Sequence, residues 1–377
     1  MVSSRCVSSA TRTPHRAAAR AASAPAWPPP ITITSNRSIP GKLGSATGGG
    51  QGGRNGGPPG GVDLQGTPTR RRAAVPYPIH TLDVFTTEPL GGNPLAVVLD
   101  AHDLDAPTMQ RIAGELGLSE TVFVLSPSDT GALRRLRIFT PAVELPFAGH
   151  PTIGTAVLLA ELGLVPGEGR TLSFVLEEQV GRVPLTVRRT PDGTLSAMLT
   201  AAKAPEAGAA PPGAELLAPI LGLSREEIVT TGLGPRAYSA GWPYLIVPLR
   251  DEAARARASL DLGRWQEQLA NFWAPSLYLV VRGTGSESAR IRARMFGPAL
   301  GIPEDPATGA AALDLIGYLV DEDRPGDGTH RWVVEQGVEM GRPSRLVIEG
   351  EVAEGRVRAA RLAGSARRMI DGTLRLP

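Results

Sequence analysis

One design occurs twice in this chain, and that repetition limits the fold more than any other feature of its 377 residues. Arg137-Ile-Phe-Thr-Pro-Ala142 leads to His150-Pro-Thr-Ile-Gly154, and Arg294-Met-Phe-Gly-Pro-Ala299 leads to Asp305-Pro-Ala-Thr-Gly309. In each copy an arginine-bearing strand ends at Phe-x-Pro, a loop delivers one ionisable residue, and Pro-x-x-Gly opens a helix rich in small residues. Two halves of like design imply a site between them. The copies differ at the ionisable position, His150 against Asp305, and that asymmetry suits directional proton transfer.

Both helices are apolar almost all round. From 151 to 162 the chain offers Ile153, Ala156, Val157, Leu158 and Leu159, and from 306 to 319 it offers Ala311, Ala312, Leu313, Leu315 and Ile316. Such a helix needs cover on every side. Strand patterns surround each one: 79–85, 93–98, 121–125, 133–139, 172–175, 183–188 and 195–199 in the first half, and 277–281, 291–296, 332–335, 344–348, 355–362 and 366–374 in the second. An amphipathic helix at 106–115 closes at Gly117. This order predicts an α+β fold, each half a sheet curled around one central helix. The proline-broken stretch 201–213 reads as a linker between a domain at 76–200 and one at 214–365, with 366–377 a closing strand that can return to the first domain.

Charge is unevenly distributed. Residues 1–75 carry ten Lys/Arg against the single acid Asp63, so the remainder is acidic by seven charges and offers no nucleic-acid surface. This tail, with its Gly tract and no apolar periodicity, reads as disordered. Its Arg- and Ser-rich composition resembles a transit peptide, but a misassigned start codon gives the same signal and is the preferred reading. No run approaches the ~18 apolar residues of a membrane span, so a cytoplasmic protein is expected. The only cysteine, Cys6, lies in the tail, which leaves no thiolate chemistry for the folded part. Histidines lack metal-ligand spacing, and neither a GxxxxGK[ST] loop nor a Gly-x-Ser-x-Gly elbow occurs. Neither a metal nor any other cofactor is expected.

The first-turn N–H groups of the two central helices, about 149–152 and 307–310, would bind a small carboxylate. Glu120, in Ser119-Glu-Thr-Val-Phe123, supplies a carboxyl group that shielding in a cleft would turn into an acid/base catalyst. Each residue has a plainer reading. His150 would cap a helix, Asp305 would be an N-cap with Pro306 at the first helical position, Glu120 would be a solvated edge charge, and Arg137 and Arg294 would form internal ion pairs.

Gly92-Asn-Pro-Leu-Ala-Val97, Ser119-Glu-Thr121, Phe139-Thr-Pro141, Phe147-Ala-Gly-His-Pro151 and above all Met295-Phe-Gly-Pro-Ala-Leu-Gly-Ile-Pro-Glu-Asp-Pro-Ala-Thr-Gly309 resemble the PhzF family of phenazine biosynthesis. The resemblance runs from about residue 75 to 377. It implies the diaminopimelate-epimerase fold, two pseudo-symmetric domains each wrapping a β-barrel around a central helix, in a cofactor-free homodimer. It also implies isomerisation of trans-2,3-dihydro-3-hydroxyanthranilate, with Glu120 taking a proton from C3 and helping to return one to C1. His150 and Asp305 would bind and orient the substrate, with Gly149, Thr152, Gly309 and Ala310 around its carboxylate. Two departures stand out. Ala310 replaces the family's common serine, and no cysteine occupies Ala148 or 306–308, where epimerase relatives carry opposed thiols. A non-catalytic binding protein and an epimerase using Glu120 with a second base remain the alternatives.

Overall fold

The computed structural model describes residues 75–283 and 290–376; the expectations for the tail and Cys6 fall outside them. The first half opens with β1 (Val75–Val84), which turns into antiparallel β2 (Asn93–Val98). Gly92 makes that turn at φ +64, and a Cβ there would lie 2.2 Å from the Val84 carbonyl oxygen. Helix α1 (Ala106–Leu116) crosses over to β3 (Glu120–Leu125), parallel to β2. Asp105 caps α1 by accepting from the Thr108 N–H, and Gly117 ends it in the left-handed region. Then follow β4 (Arg134–Phe139), β5 (Glu144–Leu145), the central helix α2 (Gly149–Glu161), β6 (Thr171–Glu178), β7 (Gly181–Arg189) and β8 (Leu195–Thr200).

The proline-broken stretch contains β9 (Glu206–Ala207), which pairs with β10 (Arg236–Ser239). A short helix, α3 (Ala214–Ile220), precedes β10; β11 (Pro243–Pro248) follows it, and α4 (Glu252–Arg257) and α5 (Leu262–Gln268) cross over to β12 (Ser276–Arg282), parallel to β11. Next come β13 (Arg290–Gly297), β14 (Ile302–Asp305), the second central helix α6 (Gly309–Asp323), β15 (Gly328–Gln336), β16 (Ser344–Ala353) and β17 (Arg356–Leu376). The last is one strand, not the two expected at 355–362 and 366–374. Gly364 lies within it where the Phe85 ring packs against the strand, 2.2 Å from where a Cβ would be. This single strand pairs with β16, β8 and β1 in turn.

Strands enclose both central helices: α2 packs on β1, β2, β3, β7, β8 and β17, and α6 on β9, β10, β11, β16 and β17. Residues 149–160 of α2 and 311–320 of α6 are all buried. Fully burying side chains such as Leu158, Leu159, Leu313 and Ile316 stabilises by roughly 1.5–3 kcal/mol each, which explains why these helices have no polar stripe.

Strand registers align the two halves residue by residue. Thr121 faces Phe139 as Leu277 faces Phe296, Leu95 faces Glu120 as Tyr244 faces Ser276, and Ile138 faces Leu145 as Met295 faces Asp305. Glu120 therefore corresponds to Ser276, Asn93 to Trp242, and Leu145 to Asp305. This corrects the motif alignment of His150 with Asp305. The counterparts are Glu144-Leu-Pro-Phe-Ala-Gly149 and Glu304-Asp-Pro-Ala-Thr-Gly309, so His150 corresponds to Ala310. The helix starts are fixed where Gly149 and Gly309 touch: a Cβ on Gly149 would lie 2.7 Å from the Gly309 Cα, and one on Gly309 2.8 Å from the Gly149 Cα.

Candidate active site

The site lies at that glycine contact, where four chain segments meet. Glu120 begins β3, Asn93 begins β2, His150 is in the first turn of α2, and Asp305 ends β14. The N-cap expectation for Asp305 fails, because α6 starts four residues later with Thr308 as its cap. Asp305 has better partners elsewhere. Its Oδ1 accepts from Asn93 Nδ2 at 2.8 Å and its Oδ2 from the Thr308 hydroxyl at 2.6 Å, while Gln336 Nε2 donates to its backbone carbonyl at 2.7 Å. Gln336 is held in turn, accepting from Thr308 N–H and the Tyr278 hydroxyl, both at 3.2 Å.

The Asn93 amide also donates to the Ala307 carbonyl at 2.9 Å and lies 3.3 Å from His150 Nδ1, linking both halves. On the other side of the imidazole, His150 Nε2 is 3.2 Å from Glu120 Oε2. That separation is short enough for an ion pair, yet neither atom has a hydrogen-bond partner of good geometry. Burial decides the charge state. It pushes the Glu120 carboxyl well above the usual carboxylate range, with the neighbouring Asp305 charge adding to the shift. Burial also raises Asp305, against the hydrogen bonds from Thr308, Asn93 and Ser119. It pulls His150 down to about 3, despite the Pro94 carbonyl. His150 is therefore a neutral imidazole near pH 7, and the contact is between a reluctant carboxylate and a neutral ring.

These groups face a cavity of about 20 Å³, room for about one water. Its polar wall has Glu120, His150 and Asp305; its apolar wall has Leu145, Phe147, Met295, Leu300 and Ile302. Gly149, Gly309 and Ala310 also line it, so the structure gathers all but one of the expected residues. Thr152 is the exception. Its buried hydroxyl lies 2.7 Å from the Ala148 carbonyl and 2.5 Å from Glu178 Oε1, away from the cavity lining. Asn93, Thr308, Trp242 and Tyr244 escaped the reading of the sequence. The available signal was the echo of Gly92-Asn-Pro94 in Gly241-Trp-Pro243.

Arg137 and Arg294 hold the two hairpins that lead to the site. Arg137 makes a bidentate pair with Glu144 at 2.7 and 2.6 Å and sits 5.1 Å over the Phe139 ring; Arg294 does the same with Glu304 at 2.8 and 2.9 Å, and lies 4.9 Å over Phe296. Among the described residues no cluster of three His, Cys, Asp or Glu side chains could hold a metal, and no helix is long and apolar enough to cross a membrane.

Comparison with known proteins places the chain in a family. Residues 82–372 match the family of phenazine biosynthesis-like proteins, PhzC-PhzF. The chain is 44% identical over 295 residues to an uncharacterized isomerase of Mesorhizobium japonicum, covering 78% of this chain and 96% of that one. It is 38% identical over 291 residues to the trans-2,3-dihydro-3-hydroxyanthranilate isomerase of Pseudomonas aeruginosa, covering 77% and 96%. A PhzF-family phenazine biosynthesis protein of Bacillus anthracis has a similar solved structure, with TM-score 0.71 and 28% identity over 80% of this chain and 99% of that one. The α+β architecture, the cavity between helix starts and these similarities together establish that the chain belongs to the PhzF family and is an isomerase.

Proposed function

We propose that the protein moves a proton within a small cyclic amino or hydroxy acid of the trans-2,3-dihydro-3-hydroxyanthranilate type, using Glu120 as both base and acid. The observation that carries this reading is the Glu120 carboxyl, buried and without a well-formed hydrogen bond, beside a neutral imidazole in a water-sized cavity. A carboxylate there is a stronger base than one in water, and the acid it becomes exchanges with solvent before it gives a proton back. Glu120 removes a proton from a saturated ring carbon, the ring electrons shift, and the resulting acid returns a proton to the other end of the rearranged system. His150 and Asp305 orient the ring, and the N–H groups at the starts of α2 and α6 receive its carboxylate. The 38% identity to the Pseudomonas aeruginosa enzyme supports this substrate class. With space for about one water, the cavity must widen to admit a ring.

The same reading divides the chain into pseudo-symmetric domains at about 76–200 and 214–365 and makes it a cytoplasmic homodimer. Sedimentation velocity giving only a monomer would refute the dimer. The test of the chemistry is an NMR time course in D₂O with trans-2,3-dihydro-3-hydroxyanthranilate. Double-bond migration with deuterium uptake is expected, slowed about 10²- to 10⁴-fold in Glu120→Gln. Undiminished turnover by that variant would remove Glu120 from the mechanism.

A further inference from the structure

The alignment of the two halves exposes an asymmetry on the cavity wall. Asn93 and Trp242 correspond, each between a glycine and a proline where a strand begins, Gly92-Asn93-Pro94 and Gly241-Trp242-Pro243. Asn93 spends its N–H groups across the site, on Asp305 Oδ1 and the Ala307 carbonyl. By the same symmetry Trp242 would look toward the counterpart of Asp305, but that counterpart is Leu145, whose side chain accepts nothing. The Trp242 indole N–H is shut off from solvent and has no partner among the described residues, and its side chain lines the cavity with Glu120, His150 and Asp305.

An N–H taken out of water without an acceptor is unfavourable unless something that binds supplies one. The turn carrying Trp242 is also fixed in place. Asp314, buried within α6, accepts from the Ala240 N–H at 2.6 Å and ties the β10–β11 turn to the central helix. The turn that brings Trp242 to the cavity is thus held in position.

We infer that Trp242 is a specificity-determining residue whose indole N–H donates to an oxygen of the bound substrate, a carboxylate or a ring hydroxyl. The site thereby selects ring acids that carry an acceptor oxygen toward the β10–β11 turn. This inference rests on the isomerase reading above.

The full chain, labelled with ¹⁵N at tryptophan, is titrated with 3-hydroxyanthranilate and with anthranilate, stable planar analogues with and without the ring hydroxyl. Trp242→Phe keeps an aromatic ring, identifies the Trp242 indole signal by its loss, and is compared with the wild type for kcat and KM on trans-2,3-dihydro-3-hydroxyanthranilate. Trp265, whose N–H donates to the Pro275 carbonyl, provides an indole signal that reports an intact fold. The Trp242 indole proton is expected to move downfield on saturation, with both analogues if the acceptor is the carboxylate and only with the hydroxylated one if it is the hydroxyl. The variant is expected to lose about 10- to 100-fold in kcat/KM. Binding and turnover with an unmoved Trp242 signal and a variant within about twofold of wild type would overturn the inference and leave the isomerase standing. Absence of both binding and deuterium uptake in the wild type would overturn the two together.

Discussion

Replacing Gly309 by alanine tests the contact on which the site is built. The new methyl group would sit 2.8 Å from the Gly149 Cα, 3.1 Å from the Gly149 carbonyl carbon and 2.6 Å from Leu362 Cδ2. Carbon atoms pack at about 3.5–4.0 Å, so the overlap is roughly 0.7 Å or more. Leu362 can rotate away, whereas the Gly149 backbone is held by α2 and β5. Overpacking of this kind costs about 1–3 kcal/mol, and the better helix propensity of alanine returns about 0.5–1 kcal/mol. The expected net loss is about 1–2 kcal/mol, a fall in Tm of roughly 2–8 °C for a domain of this size. The rate should suffer more. Both glycines line the cavity, so the helix starts move apart beside Glu120 and His150, and a displacement near 1 Å costs about 10²-fold in turnover. Calorimetry gives the first quantity and the deuterium-uptake assay the second. Gly326→Ala, with nothing within 4 Å of its Cβ, is the control and should change neither. If Gly309→Ala matched that control in Tm, the close backbone contact would be wrong.

Two further substitutions probe groups outside the chemistry. Glu178 is buried beneath α2 and its carboxyl is raised by burial from 4.5 to about 8, so the folded state holds its proton more tightly than the unfolded state does. Its contribution is full below pH 4.5 and is lost as pH rises toward 8, at up to about 1.4 kcal/mol per pH unit. Glu178→Gln, which keeps an acceptor for Thr152, should therefore flatten that decline in urea melts between pH 5 and 8; an unchanged pH profile would show that Glu178 is not strained by burial. Asp83 accepts from Arg342 at 2.5 Å and from the Leu90 N–H at 2.7 Å, tying β1 to the loop before β16, where Arg342 also donates to the Gly91 and Gly92 carbonyls. Because the arginine is a quarter exposed, Asp83→Ala is expected to cost about 2–3 kcal/mol in denaturant unfolding, and a loss below about 0.5 kcal/mol would make the pair a surface contact.

The local and periodic parts of this protein follow from its residues alone. Helices with no polar face, such as 149–160, have only one way to satisfy their surface, and alternating segments such as 291–296 have one pleat, so the α+β plan and the two central helices were legible. Glu120, His150 and Asp305 were legible as ionisable residues in a repeated frame. Their relation to one another was not. Aligning Pro151 with Pro306 put His150 opposite Asp305, whereas Glu144-Leu-Pro and Glu304-Asp-Pro set the frame, because hairpin pairing and the Gly149–Gly309 contact fix where each helix begins. Thr152 and Glu178 show the same limit, since no spacing reveals that a hydroxyl turns toward β6 and away from the cavity. Which groups lose water depends on how distant segments pack. Glu120 and His150 have ordinary titration as free side chains, and their shifts in opposite directions arise because segments 27 or more residues apart close over one cavity. Periodicity is a property of the chain, but desolvation belongs to the packed whole.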